Sequence, residues 1–338
     1  AISVGQSMLE LDATNTKHLG TLAISYNEYG VLLANQGKPE EAAESYQKSI
    51  ELWQDLSGQN PETTLYRNYL ASAYTNLGGV QRTIGDNQAS LMGYQKAVSV
   101  FQELTARNPS VILYRDNLAH AQQNLGNLLF ASFQRDEALA AMNAALEIRK
   151  KLVGEQPENI QFQNTLAAAY HNLGNLQRDI QDYEQAQSLY AQAIAIWEPM
   201  SEKQPGTVAV EKGLGAAYIG AGYLEYLQGD LEACLPFMEK AIPLLETKAD
   251  MKGPLQISHM IAADALEKLE RFADAAAAYE QAISLQSGPS RNALQLKRAL
   301  VLARDGQHQQ ATTEARTLML PDQVPLETIY DAACVFAL

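Results

Sequence analysis

The fold is decided by the stretch Ala73-Tyr74-Thr75-Asn76-Leu77-Gly78 and by its relatives elsewhere in the chain. Stretches of this kind, each ending in a glycine, recur five times at intervals of 48 residues. Their glycines are Gly30, Gly78, Gly126, Gly174 and Gly222. Five matches at one constant spacing indicate that the chain is built from repeats.

A second pattern follows each glycine at helical spacing. Twelve residues on comes a small residue (Ala42, Ser90, Ala138, Ala186, Cys234), and four further on a large one (Tyr46, Tyr94, Met142, Tyr190, Met238). Another small residue comes next (Ser49, Ala97, Ala145, Ala193, Ala241). These offsets predict a helix, a turn and a second helix in each repeat, in which the large residue is wedged between the helices while glycine and alanine allow them to approach closely.

The order of an aromatic residue, Leu-Gly, Ala and then Tyr resembles the tetratricopeptide repeat over nearly the whole chain. This resemblance implies an all-α fold, a right-handed α-solenoid of helix-turn-helix repeats without β-sheet. The common repeat has about 34 residues. A period of 48 residues therefore predicts longer helices.

The repeats shorten along the chain, and we expect one solenoid over residues 1–338. Long repeats are predicted for about 13–252 and shorter ones for about 253–321, in all about seven helix pairs. Residues 1–12 align with the end of a preceding repeat's second helix, and residues 322–338 with a further first helix. Since no polar cap is visible at either end, we expect a fragment of a longer array.

A narrower likeness lies in Asn60-Pro61, Tyr66-Arg67 and Leu70-Ala71, echoed 48 residues later. These residues resemble the long tetratricopeptide tails of large bacterial serine/threonine kinases, especially those of planctomycetes, and Tyr330 to Cys334 resemble the end of such tails. The kinase's own phosphate loop, His-Arg-Asp loop and Asp-Phe-Gly are missing from this sequence. We therefore predict a non-catalytic chain.

Composition and charge exclude other classes of protein. The chain has 46% hydrophobic residues, which argues against disorder, and a formal charge of -14, which argues against nucleic-acid or anionic-membrane binding. No apolar run is long enough to span a bilayer. Two cysteines fit a cytoplasmic, reducing compartment, although so few are also tolerated elsewhere.

Neither metal nor cofactor chemistry emerges from the polar residues. The histidines (His18, His120, His171, His259, His308) show no ligand spacing, and Gly220-Ala221-Gly222 follows no strand. Cys234 stands where other repeats carry alanine or serine, so we interpret it as a packing residue. We predict neither cofactor nor bound metal.

The opposite face of each first helix, about 200° from the packing face, lines the concave groove in tetratricopeptide folds. An amide offers a donor and an acceptor, so this face can bind the backbone of an extended peptide, and similar asparagine ladders line kinesin-light-chain-type grooves. The predicted groove residues are Asn76, Arg82, Gln123, Asn124, Asn127, His171, Asn172, Asn175, Arg178, Tyr223 and Tyr226. The groove is expected to run from amide-rich to apolar at Tyr223 and Tyr226.

The sequence leaves two functions open. The first is a scaffold that binds a protein or peptide with acidic and apolar side chains, as the interaction or regulatory region of a larger protein such as a kinase. The alternative is a self-assembly module that forms homo-oligomers. A plain structural interpretation also stands beside the groove, because asparagine is tolerated on any solvated helix face.

Overall fold

The computed structural model describes residues 15–287 and 289–318, which form fourteen α-helices, one short 3-10 helix and no strand. The helices are α1 (Thr16–Asn35), α2 (Pro39–Gln59), α3 (Thr64–Ile84), α4 (Asn87–Arg107), α5 (Ile112–Ala131), α6 (Arg135–Glu155), α7 (Ile160–Asp179), α8 (Tyr183–Lys203), α9 (Val208–Gln228), α10 (Leu231–Leu245), α11 (Lys252–Lys268), α12 (Phe272–Ser284), α13 (Pro289–Arg304) and α14 (His308–Leu318). The 3-10 helix is Ala249–Met251. The prediction of an all-helical repeat fold is confirmed for this part of the chain.

The helices form seven pairs, each a first helix, a short turn and a second helix. In the first pair Gly20 faces Trp53, while Gly30, later in α1, faces Tyr46, earlier in α2. Contacts whose residue numbers run in opposite directions show that the two helices are antiparallel. First helices also contact each other, α1 with α3, α3 with α5 and α9 with α11, and so form a layer.

Helix lengths follow the shortening of the repeat. First helices have 20 or 21 residues in repeats one to five and 17 and 16 residues in repeats six and seven. Second helices have 21 residues in repeats one to four but 15 already in repeat five, where Pro236 and Pro243 lie inside α10. Shortening therefore begins one helix earlier than the sequence predicted.

The paired helices approach closely at the repeat glycine, as predicted, and the structure adds that this glycine faces the wedge residue. A Cβ atom placed on Gly126 would lie 2.6 Å from Met142 Cγ, and one on Gly30 would lie 2.7 Å from the Tyr46 ring. Such distances are shorter than any normal carbon–carbon contact, so any larger residue would require the wedge side chain or its helix to move. The wedge residues Tyr46, Tyr94, Met142, Tyr190 and Met238 are all buried.

Every turn inside a repeat places one residue in the left-handed backbone region. This residue is Gly37, Gly85 or Gly229 in three of the first five repeats, but Phe133 (φ 61°) in repeat three and Gln181 (φ 66°) in repeat four. Left-handed φ is costly for a residue with a side chain. Phe133 is moreover 83% exposed, so no burial compensates for its backbone conformation.

Two compact units divide the chain, one ending at Leu176 and the other beginning at Gln177, inside α7. In the N-terminal unit a core surrounds Trp53, Phe101 and Leu118. In the C-terminal unit the larger core surrounds Met238 and Tyr279. The expected single solenoid over 1–338 stays a prediction, and the segments 1–12 and 322–338 lie outside the described residues.

Candidate peptide-binding surface

Two asparagines of the predicted groove have amide groups without an intramolecular partner. Asn124 on α5 and Asn172 on α7 are half-buried, and neither forms a side-chain hydrogen bond with any described residue. They occupy equivalent positions, two residues before the repeat glycine. Because an unbonded, half-buried amide loses part of its hydration without compensation, both can gain hydrogen bonds from a ligand.

Asn76, at the equivalent position of α3, is already engaged. Its Nδ2 donates to Asn27 Oδ1 on α1 across 3.0 Å. A second amide pair joins the same layer, since Asn117 Nδ2 on α5 donates to Asn68 Oδ1 on α3 across 2.9 Å. Amide pairs therefore connect neighbouring first helices.

Gln123 and Asn127 form a network that the sequence did not reveal. Gln123 Nε2 donates to Asn127 Oδ1 across 3.0 Å, and Gln123 Oε1 accepts from Arg149 Nη1 across 2.9 Å. Gln123 is only 5% exposed, so it lies beneath the surface and orients Asn127. Burial lowers the pKa of Arg149 to about 10, and it raises the pKa of nearby Asp116.

The remaining groove residues of the N-terminal unit differ in exposure. His171 and Asn175 lie one helical turn apart on α7, with Nε2 and Nδ2 separated by 3.4 Å. Arg82 is exposed in the last turn of α3 and forms no ion pair with a described residue. It is therefore a cation available to an acidic group.

In the C-terminal unit, Arg178, Tyr223 and Tyr226 lie together. The guanidinium of Arg178 lies 5.3 Å from the centre of the Tyr223 ring, which stacks on Tyr226 at 6.1 Å. Arg178 also forms an ion pair with Asp179 at 2.8 Å, and its Nη1 donates to the Tyr190 hydroxyl. Its charge is therefore already balanced by a carboxylate.

Tyr226 lies among polar groups, although the sequence predicted an apolar end of the groove here. Its hydroxyl donates to Asp264 and accepts from Lys268, whose Nζ lies 4.3 Å from the centre of the Tyr226 ring. Lys268 and Asp264 form an ion pair of 3.0 Å. The expectation from side-chain type fails here because α11 brings charged residues to the ring.

The sequence also did not predict the ion pairs that link the two helices of a repeat. Arg67 binds Glu103, and Arg115 donates to Glu155 through Nη1 and Nη2 at 2.5 and 2.6 Å. These arginines belong to the recurring Tyr-Arg dipeptides. The recurrence of this dipeptide was the one sequence feature that could have pointed to these ion pairs. Each ion pair connects the start of a first helix to the end of the second helix of the same repeat.

Cys234 is fully buried, and burial raises the pKa of its thiol to about 11. A thiol in that state is a poor nucleophile near neutral pH, as the packing interpretation predicts. Among residues 15–287 and 289–318, no group of three or more His, Cys, Asp and Glu side chains has the arrangement of a metal site. No helix in that same part is both long and apolar enough to cross a membrane.

The geometry defines an α-solenoid whose first helices carry polar side chains and whose second helices pack behind them. Comparison with protein families gives the class its name. Four tetratricopeptide repeat models match residues 21–103, 118–159, 169–203 and 262–317, together more than half of the chain. The chain is therefore a tetratricopeptide repeat array.

Solved structures agree on the fold. BtubC (BKLC) from P. vanneervenii is 18% identical with a TM-score of 0.58, and the match covers 74% of this chain and 94% of that one. Aspartyl phosphate phosphatase F from Bacillus subtilis is 13% identical with a TM-score of 0.55, and the match covers 94% of this chain and 74% of that one. A putative kinesin light chain from Podospora anserina is 14% identical with a TM-score of 0.50, and the match covers 69% of this chain and 99% of that one. At such low sequence identity these similarities show a common fold and nothing about function. No curated protein sequence matches the chain.

Proposed function

We propose that this array is a non-catalytic scaffold whose concave, amide-rich surface binds an extended segment of a partner protein. One observation carries the proposal: Asn124 and Asn172 stand at equivalent positions of successive first helices, half-buried and without hydrogen bonds to described residues. Each amide can accept from a peptide N–H and donate to a peptide C=O. Binding through the backbone leaves the partner's side-chain sequence largely open.

Side-chain preferences follow from the neighbouring charges. Arg82 is a cation without an ion pair among the described residues, so an acidic side chain of the partner is expected beside it. Arg178 already has Asp179 and is a weaker attractant. An apolar or aromatic side chain is expected at Tyr223, and Asn76, Asn127, His171, Asn175 and Tyr226 complete the proposed surface.

The likeness of Tyr66-Arg67 and Tyr114-Arg115 to kinase tails extends the proposal to the parent protein. We infer that the array serves as the interaction or regulatory region of a larger protein of that type. The asparagine ladder of kinesin-light-chain-type repeats supports peptide binding in the same way. Both inferences depend on resemblance, and the test below concerns the surface itself.

The test is selection of peptides from a random library against the wild-type protein, followed by affinity measurement with the double variant Asn124→Ala, Asn172→Ala. Each lost amide contact costs about 0.5–1.5 kcal/mol, so two should weaken binding roughly five- to a hundredfold. The matched control is Asn143→Ala with Gln102→Ala, because both amides are exposed on second helices.

Wild-type affinity in the double variant, with its helicity intact, would contradict the proposal. So would a peptide footprint on α4 and α6 instead of α3, α5 and α7. Light scattering of the wild type against concentration tests the alternative function directly. A mass that rises with concentration and falls back in the double variant would assign the same asparagines to self-assembly.

A further inference from the structure

The C-terminal unit contains an apolar cleft of about 500 Å³ bounded by α8, α9 and α10. Its floor is Ala221 and Leu224 of α9, and Phe237 of α10 closes one side. The other wall is a stripe of α8, in which Ala191 and Ala195 are small and Ile194 is half-buried. An open, concave apolar surface of this kind is a candidate contact site for a partner.

The cleft lies where repeat five lacks a leucine that the three preceding repeats carry. Repeats two, three and four carry Leu77, Leu125 and Leu173 directly before the repeat glycine, and Leu77 and Leu173 are buried there. Repeat five has Ala221 at this position. The lost side-chain volume is not refilled, since Ala191 and Ala195 of the facing helix are small and exposed.

Hydrogen-bond acceptors surround the opening. Glu198 accepts from the Tyr218 hydroxyl and is paired with Lys240 at 3.1 Å. Glu225 has a single partner among the described residues, the neutral amide of Gln187, whose Nε2 lies 3.1 Å from its Oε1. One repeat earlier in the chain, the corresponding residues are Lys150 of α6 and Gln177 of α7, so neither acid is present at that junction.

Pro199 adds a third acceptor. It lies inside α8 and has no backbone N–H. The carbonyl of Ala195, four residues earlier, therefore receives no helical hydrogen bond from residue 199, and Ala195 itself lines the cleft. A carboxylate, and a carbonyl that lacks its usual helical donor, beside an apolar floor favour a ligand that combines apolar groups with cationic donors.

This cleft is separate from the proposed peptide-binding surface. At about 100° per residue, Tyr223 and Tyr226 lie roughly 140–200° around α9 from Ala221. The lining residues of α8 span Gln187 to Glu198, which corresponds to roughly 16 Å of helix. That length matches about three turns of a partner helix laid along the cleft.

We propose that the cleft over Ala221 binds a basic amphipathic helix of a partner protein, with leucine-type side chains on Ala221 and Leu224 and lysine or arginine on Glu225 and the Ala195 carbonyl. The charge of the chain, -14, favours the approach of such a cationic helix. Repeat five is thus assigned a contact of its own, independent of the asparagines of repeats two to four.

The probe is a labelled helical peptide of about 15 residues, with leucines at successive turns of one face and lysines beside them. A matched peptide carries glutamate in place of each lysine. Fluorescence anisotropy measures both against the full chain. We expect the lysine peptide to bind and the glutamate peptide to bind at least roughly tenfold more weakly, because like charges meet at the rim.

Ala221→Leu introduces the residue that repeats two to four carry at this position and fills the floor. Since burying one leucine-sized group contributes about 1.5–3 kcal/mol, this variant should weaken binding roughly ten- to a hundredfold. Ala191→Gln blocks the exposed wall without entering the core and should also weaken binding, so it decides the question if Ala221→Leu does not fold. Glu225→Gln should cause roughly a two- to fivefold loss and reduce the sensitivity to salt.

Four outcomes would overturn the proposal. One is the absence of binding by the lysine peptide, and another is equal affinity for the two peptides. The third is wild-type binding by folded Ala221→Leu or Ala191→Gln. Light scattering that detects self-association abolished by Ala221→Leu would assign the cleft to a second copy instead. Asn124→Ala with Asn172→Ala should leave this peptide's affinity unchanged.

Discussion

Replacement of Gly126 tests the contact on which the repeat depends. In this structure α5 approaches α6 so closely that an added Cβ would lie 2.6 Å from Met142 Cγ and 3.3 Å from the carbonyl oxygen of Ala138. Met142 is 1% exposed, so its side chain has no open space into which to move. The Ala138 oxygen belongs to the helix backbone and can move only with α6.

Two opposing effects determine how much a replacement of Gly126 changes the free energy of unfolding. An alanine stabilises a helix by about 1 kcal/mol relative to glycine, whereas overpacking a core typically costs 1–3 kcal/mol. Gly126→Ala should therefore destabilise by about 0–2 kcal/mol. Gly126→Leu adds three further carbon atoms to the same closed space, and we expect it to cost about 3–4 kcal/mol.

The assay is urea unfolding followed by circular dichroism, with Gly154→Ala as the control. Gly154 lies in the facing helix α6, but a Cβ there meets nothing within 4 Å, so the control should be neutral or slightly stabilising. A double-mutant cycle of Gly126→Ala with Met142→Ala should show a favourable coupling, because the shortened side chain makes room. An unchanged free energy of unfolding in Gly126→Leu would refute the packing argument.

Two further predictions concern stability. Phe133→Gly should raise the free energy of unfolding by about 1 kcal/mol, since it relieves a left-handed backbone and removes an exposed ring that packs on nothing; thermal unfolding checks this, and a lower midpoint would mean that the ring stabilises the turn. The hydrogen bond from Lys248 and that from the Gly206 N–H hold the pKa of Glu211 below its usual 4.5. Because the folded pKa is depressed, this contribution is present above the unfolded pKa and is lost as the pH falls through the folded value. The free-energy difference between wild type and Lys248→Met should therefore be largest above about pH 5 and shrink in more acidic solution, whereas a difference independent of pH would contradict it.

The repeat, its helices and its packing residues could be predicted from the sequence. Helical periodicity and the recurrence of glycine every 48 residues are local features, and close packing of two helices tolerates only a few residue types where they cross. Gly126 opposite Met142 and Gly30 opposite Tyr46 illustrate this. The buried state of Cys234 followed from the alanine and serine at the same position of other repeats.

Partners across helices were decided only by the tertiary structure. Asn76, Asn124 and Asn172 look equivalent in the sequence, yet Asn76 bonds to Asn27 while the other two amides have no partner among the described residues. The difference arises because a side-chain hydrogen bond depends on which residue the neighbouring helix presents within about 3 Å, and that residue is 49 positions away.

The polar surroundings of Tyr226, at the end of the predicted groove, also could not be predicted from the sequence. Tyr226 is an aromatic residue in a sequence pattern that favours an apolar surface, but Asp264 and Lys268 reach its hydroxyl from α11. The cleft over Ala221 likewise depends on the small residues of α8 that face it. A repeat pattern determines which face of a helix is buried, whereas the chemistry of a surface comes from side chains that only the packed helices bring together.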